Sequence, residues 1–433
     1  MTVIKNVIYY AAKKIKDKII EGKNKVWGID SNNLYEIESL IYKTDRGFYK
    51  EIMEYGKKNF FSVGCNEIGD EKKIAYIVEH IGGRERNIIR MVRKSGYYVV
   101  MLVKKEVLGD ANFSEEIMKL ADYSYVYSSV KELLYALMKT DGVRLIHVFL
   151  PWANCDTACI LLRHKRFFPK IVIEHYDVMT GCFPGYPSKI YRREKYALQK
   201  ADGVTYANFM GEVLTRKYGF KIRGEQLLFL SYYDKDEAIE KEHEDTDREL
   251  SFVFAGRFLK GEINGDQVVP FAEMCKENRA HFYVYSATIE NHVYYEEYEN
   301  KNPFFHYMGN VKHSELINKI SNYDYGVCLI DRENYENCEK YGHTKTELQY
   351  ASTNKFFDYL GAGIPIVSYA HQKLVRKLEE EGMAINSFVE DFDFDMLKKN
   401  RESFTNNVSK NRHKYSIQER MYELLDFYER VMK

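Results

Sequence analysis

This sequence predicts an α/β chain in which two doubly wound parallel sheets face one cleft. Three observations carry that expectation. From residue 72 onward, short apolar runs rich in Val, Ile and Tyr alternate with helix-like amphipathic stretches. A second series of the same kind begins at residue 250. Between them lies "DKDEAIEKEHEDTDRE" (234–249), charged and nearly free of apolar residues. Strand–helix–strand alternation marks a parallel sheet with helices on its faces. Ligands of such sheets bind beyond the carboxyl ends of the strands, so two facing sheets suit the joining of two substrates.

The chain has 433 residues, too many for one ordinary core. We expect a helical N-terminal extension over 1–70 and a first domain over 71–233. A linker over 234–249 and a second domain over 250–410 follow. A closing helix over 411–433 packs back on the first domain. Within the extension, "VIKNVIYYAAKKIKDKII" (3–20) places Ile4, Val7, Ile8, Ala11, Ala12, Ile15 and Ile19 at helical spacing. Lys5, Lys13, Lys14, Lys16 and Lys18 give it a basic face. Such a helix either lies on an anionic lipid surface or packs on its own protein with that face in solvent. Residues 34–61 read as mostly helical.

In the first domain, "KKIAYIVEHI" (72–81) reads as a buried strand. "GGRERNIIRMVRKSG" follows as a glycine turn and a helix, and "YYVVMLV" as the next strand. Further strands are expected near 123 and over 143–150, 170–176 and 203–208. In the second domain they are expected over 250–258, 280–286, 304–309, 325–330 and 364–369.

Lys plus Arg equals Asp plus Glu, at 64 each, which argues against a nucleic-acid binder working by bulk charge. The seven cysteines are scattered and include no zinc-like CxxC pair, so buried thiols in a reducing compartment are expected. No apolar run reaches membrane-spanning length and no signal peptide is visible. We therefore expect a cytoplasmic protein, held at the inner face of a membrane if 3–20 is interfacial.

The stretch with the most chemistry is "STNKFFDYLGAGIPIVSY" (352–369). Ser352, Thr353 and Asn354 are good N-cap residues, and a helix start behind them is an anion site. Lys355 adds positive charge. Asp358, one turn in, can accept hydrogen bonds from a vicinal diol such as a ribose. Gly361-Ala362-Gly363 ends the helix before a buried strand. The pattern fits a nucleotide site, and it equally fits an ordinary helix–turn–strand connection.

The same stretch resembles "P-x-K-x-x-E-Y-L-A-x-G-x-P-V-V" of the GT-B glycosyltransferases, especially glycosyltransferase family 4 and its relatives. "IGGRERNIIRMVRKSGYYVVML" (81–102), "KIVIEHYD" (170–177) and "EKYALQKADGVTYANFMGEVLTRKYGF" (194–220) resemble further family segments. So do "FVFAGRFLKG" (252–261) and "FFHYMGNVKHSELINKISNYDYGVCLI" (304–330). Together they span most of 72–433 in family order.

The resemblance implies two Rossmann-like domains in GT-B architecture. It implies a hexosyltransferase-like enzyme that moves a sugar from a nucleotide-sugar to a hydroxyl. The acceptor would be a glycan or lipid-linked glycan, as in polysaccharide biosynthesis. Retention of anomeric configuration is the family default, and no metal or other cofactor is expected. Arg257 and Lys260 would pair with the donor diphosphate. Asn354, Lys355 and Asp358 would hold the rest of the nucleotide, and Arg257 would also act in catalysis. Gly82 and Gly83 would let the backbone approach the acceptor or a phosphate. His175, at a strand end, would contact the reacting sugar or acceptor.

One departure matters. The family carries two Glu separated by seven residues; here the second position is Asp358 and the first is Tyr350. Glu347 lies close by and could substitute. Two rivals follow: a catalytically inactive GT-B scaffold or binding subunit, and a sugar-nucleotide epimerase of the same fold. Asp391-Phe-Asp393 has the form of a metal-binding Asp-x-Asp, but it follows the last expected strand and reads as a loop capping a helix.

Overall fold

A computed structural model describes residues 31–59, 72–79, 81–108, 116–150, 155–176, 188–241, 248–257, 261–286, 292–369 and 372–433. The expected helix over 3–20 lies outside them, as does Lys260.

The first sheet is built from β1 (Lys73–Val78), β2 (Tyr98–Lys104), β3 (Tyr123–Tyr127), β4 (Val143–Leu150), β5 (Lys170–His175), β6 (Gly203–Tyr206) and β7 (Glu225–Leu228). Its order is β3-β2-β1-β4-β5-β6-β7, parallel throughout. The second contains β8 (Ser251–Gly256), β9 (His281–Ser286), β10 (Phe305–Gly309), β11 (Tyr325–Cys328), β12 (Ile366–Ser368) and β13 (Ala384–Asn386). Its order is β10-β9-β8-β11-β12-β13, again parallel. Strand order reverses between β1 and β4 and between β8 and β11, which makes those two strand ends the natural ligand crevices. This is the GT-B architecture.

Burial explains why the central strands form. Every residue of β1, β6 and β11 is buried, as a strand covered by helices on both faces requires. The edge strands β7 and β13 have no such signal. β7 is half exposed and β13 is only three residues long. Neither was expected from the sequence.

Helices Ser31–Tyr42 and Asp45–Asn59 dock on the first domain. Phe48 stacks on His164, with ring centroids 3.8 Å apart. The two nitrogens of that imidazole meet the Asp45 carboxylate at 2.8 Å and the Leu40 carbonyl at 2.9 Å.

The chain passes between the domains twice, and the two passes run side by side. Tyr233 N–H donates to the Tyr415 carbonyl at 3.2 Å, and Ile417 N–H donates to the Tyr233 carbonyl at 2.8 Å. Buried Arg412 donates to the carbonyls of Ile239, Leu360 and Gly361 at 2.8, 3.2 and 3.1 Å. It thereby ties both passes to the end of helix Asn354–Gly361. The last helix, Ile417–Met432, lies across the first sheet. Its buried Tyr428 hydroxyl is 3.1 Å from the Tyr76 hydroxyl and 2.6 Å from His147 Nδ1.

Among the described residues no helix is long and apolar enough to cross a membrane. Cys155, Cys159, Cys275, Cys328 and Cys338 are buried free thiols. Asp393 accepts a hydrogen bond from Met396 N–H at 2.9 Å and so caps a helix, the simpler of the two readings of the Asp-x-Asp segment.

Candidate functional site

The two domains enclose a cleft of about 340 Å³ at the carboxyl ends of β1, β5 and β8. One wall comes from the first domain and its connector: Gly83, Arg84, Asn87, Tyr176 and residues 231–234. The other comes from the second domain: Ala255–Arg257, Leu316, Ile317, Thr353–Lys355, Phe357, Asp358 and Gly361. Gly83, Arg257, Asn354, Lys355 and Asp358, proposed from sequence and scattered over the chain, thus line one cavity.

Helix Asn354–Gly361 is seated by its own sequence. Its Tyr359 is fully buried, and the hydroxyl accepts from Ala255 N–H and donates to the Val327 carbonyl, each at 3.1 Å. Gly326 makes room for that ring, since a Cβ there would stand 2.3 Å from it. The helix is therefore pinned to β8 and β11 beside the strand-order reversal. Gly363, at φ +76°, turns the chain into β12.

The start of this helix is open. Thr353 occupies the N-cap position, but its side chain makes no capping hydrogen bond. Asn354 Oδ1 is buried without a hydrogen-bond partner. The Lys355 ammonium rests over the Phe254 ring, 4.9 Å from its centroid, and makes no ion pair among the described residues. Gly256 allows that pose: its φ is +141°, and a Cβ there would stand 2.7 Å from Lys355 Cε. An uncapped helix start with a cation beside it attracts anions. Arg257 is mostly exposed and pairs with Glu262 at 3.0 Å.

The opposite wall is locked. Arg84 is buried and donates to both carboxylate oxygens of Glu174, Nε to Oε1 at 3.0 Å and Nη2 to Oε2 at 2.8 Å. It also donates to the Leu230 carbonyl. Burial pushes the Glu174 carboxyl up, and the facing guanidinium opposes that push. Arg90 pairs with Asp234 and, at 3.1 Å, with Glu237. Among the described residues, Arg90 Nε and Ser231 Oγ are left buried without a hydrogen-bond partner on this side.

The remaining expected site residues fall as follows. Gly82 caps the helix behind Gly83, and its N–H is taken by Glu85 at 2.7 Å. His175 requires a correction. It is buried with Nε2 2.8 Å from Glu194, and it is not among the cleft residues. Successive strand residues point to opposite sides, so the next residue, Tyr176, takes the cleft position. Glu347 is held by His343 at 2.9 Å, and Tyr350 turns to the domain interface.

Arg84 and Glu174 were not singled out from sequence, though signals existed. An arginine in the first turn opposes the helix dipole, and a lone Glu interrupts the apolar run of β5. Each makes sense only with the other as partner. Among the described residues, no group of three or more His, Cys, Asp or Glu is arranged to hold a metal.

No protein-family model and no curated protein sequence matches the chain. Solved structures do. A glycosyltransferase from Rickettsia africae ESF-5 is similar at TM-score 0.57 and 12% identity, over 84% of this chain and 99% of that one. An α-glucosyltransferase, in complex with UDP-glucose and DNA containing an abasic site, is similar at TM-score 0.53 and 12% identity, over 84% and 100%. AviGT4, a glycosyltransferase involved in avilamycin A biosynthesis, is similar at TM-score 0.51 and 11% identity, over 83% and 98%. With both sheets and the cleft in place, the conclusion these likenesses carry is that the chain has the GT-B glycosyltransferase fold.

Proposed function

We propose that this chain is a glycosyltransferase that moves a sugar from a nucleotide-sugar to a hydroxyl of a glycan or lipid-linked glycan. The observation that carries the reading is the Lys355 ammonium, which lies at an uncapped helix start in a two-domain cleft and lacks an ion pair among the described residues. The donor diphosphate lies against that helix start, with Arg257 beside it. Asp358, one turn on, accepts hydrogen bonds from the ribose, and the transferred sugar points towards the first domain. The bond from the anomeric carbon to the diphosphate breaks, and its electron pair leaves with the diphosphate. The acceptor hydroxyl passes its proton to the departing diphosphate oxygen as the new C–O bond forms. Fixed positive charge at the leaving oxygens stabilises this departure without a metal. Retention of configuration and a cytoplasmic site of action, at a membrane through residues 3–20, complete the proposal.

Calorimetry with UDP, GDP, ADP, CMP and dTDP, in the absence of added metal, tests the donor site. We expect one nucleotide to bind and Asp358→Ala to weaken it. A folded protein that binds none of them contradicts the reading.

A second reading has one observation in its favour. Tyr350 stands where the family has a sugar-contacting Glu, and Glu347 is engaged with His343. A scaffold that has kept its nucleotide site but lost turnover fits that substitution. Nucleotide binding without transfer from any nucleotide-sugar to any of a set of glycan acceptors selects the scaffold.

A further inference from the structure

Two residues shortly before helix Asn354–Gly361, Tyr350 and Ser352, are gripped by the other domain. Phe209 N–H, at the end of the β6 connection, donates to the Tyr350 carbonyl at 3.0 Å. Ser352 Oγ donates to the Ala207 carbonyl at 2.7 Å, and both Ser352 and Ala207 are buried. Around this backbone contact, the Lys373 ammonium meets Glu212 Oε1 at 2.6 Å and lies over the rings of Phe209 and Tyr350, at 4.8 and 5.8 Å. Lys377 covers Phe209 again at 5.0 Å. Lys217 donates to Thr346 Oγ1 at 2.9 Å.

These contacts form a strip that joins 207–217 of the first domain to 346–377 of the second. Tyr350 belongs to the strip rather than to the cleft lining. Its carbonyl accepts from Phe209 and its ring packs against the core of the first domain, so position 350 has a role that a sugar-contacting acid would not fill. The strip ends one residue before Thr353, at the open helix start.

We propose that Tyr350 and Ser352 are positioning residues, a clasp through which the first domain sets the N-terminus of helix Asn354–Gly361 for its anionic ligand. The proposal rests on the nucleotide-site reading above. When the clasp is closed the helix start has its binding geometry. When it opens, Tyr350–Ser352 loses its partners and only the closed fraction binds. Apparent affinity then falls in proportion to that fraction.

The charge pair at the edge of the clasp allows a test that leaves the cleft lining untouched. Hydrogen exchange at the Phe209 amide reports the clasp without any ligand. Calorimetric titration with UDP, GDP, ADP, CMP and dTDP reports the helix start. Glu212→Lys and Lys373→Glu should each speed Phe209 exchange about tenfold and weaken the tightest of these nucleotides about threefold. The double variant Glu212→Lys/Lys373→Glu, with the pair reversed, should restore both to within about twofold. Singles that exchange at the wild-type rate, or a reversed pair that restores nothing, overturn the clasp. Faster exchange with unchanged affinity overturns its positioning role. Wild-type protein that binds none of the five nucleotides overturns that role by removing the site it serves, while the exchange data still decide whether the domains are clasped.

Discussion

The two walls of the cleft carry charge in opposite ways. On the first-domain wall Arg84 is spent on Glu174, and Arg90 on Asp234 and Glu237. On the second-domain wall Lys355 keeps its charge over an aromatic ring with no counter-ion among the described residues. Among the described residues the first wall presents tyrosines and the unpartnered hydroxyl of Ser231. A wall whose charges are cancelled internally is a rigid surface for neutral, hydroxyl-bearing groups. A wall with an uncancelled cation at a helix start is an anion site. The difference teaches that arginine content alone is a poor guide to where a phosphate binds. What counts is which cation still lacks a partner.

The comparison breaks most severely on the locked wall. Glu174→Ala leaves a buried guanidinium unpaired, and removing one partner of a buried pair costs about 3–5 kcal/mol. We expect a marked fall in the urea midpoint of this variant. An unchanged midpoint would show that Arg84 is not held as described. Tyr359→Phe is next. It strands the buried Ala255 N–H that the hydroxyl satisfies, at about 1–3 kcal/mol, and it loosens helix Asn354–Gly361 on its sheet. Its urea midpoint should fall less, and hydrogen exchange should quicken along that helix. Arg90→Ala sits at the small end. Its pair with Glu237 is partly exposed to solvent, and the Asp234 side chain is buried, so we expect roughly 1 kcal/mol and unchanged nucleotide affinity. A large loss of affinity in Arg90→Ala would move the anion site to the wrong wall.

Much of this was legible in the sequence. The central strands announced themselves because a strand buried on both faces is a continuous apolar run, as in "KIAYIV". The edges β7 and β13 did not, because short strands at a rim bury too little to leave a pattern. Lys355 and Asp358, which line the cleft, could be singled out because an N-cap, a charge and a helix stop are local features. His175 was misplaced because a strand end shows that one of two neighbours faces the cleft but not which one. Tyr176 takes that place, and His175 turns to Glu194. The Arg84–Glu174 pair joins positions 90 residues apart, and only the fold brings them together. The same holds for Tyr350, whose partner Phe209 lies in the other domain.

The Lys355 ammonium, without a counter-ion among the described residues, can be addressed directly by one titration. Wild type and Lys355→Met are titrated calorimetrically with the tightest-binding nucleoside diphosphate and with the matching nucleoside. We predict that Lys355→Met weakens the diphosphate by at least about tenfold, the scale of one hydrogen bond to a charged group, and leaves the nucleoside unchanged. Equal binding of the diphosphate by both proteins would contradict the assignment of the anion site to this wall.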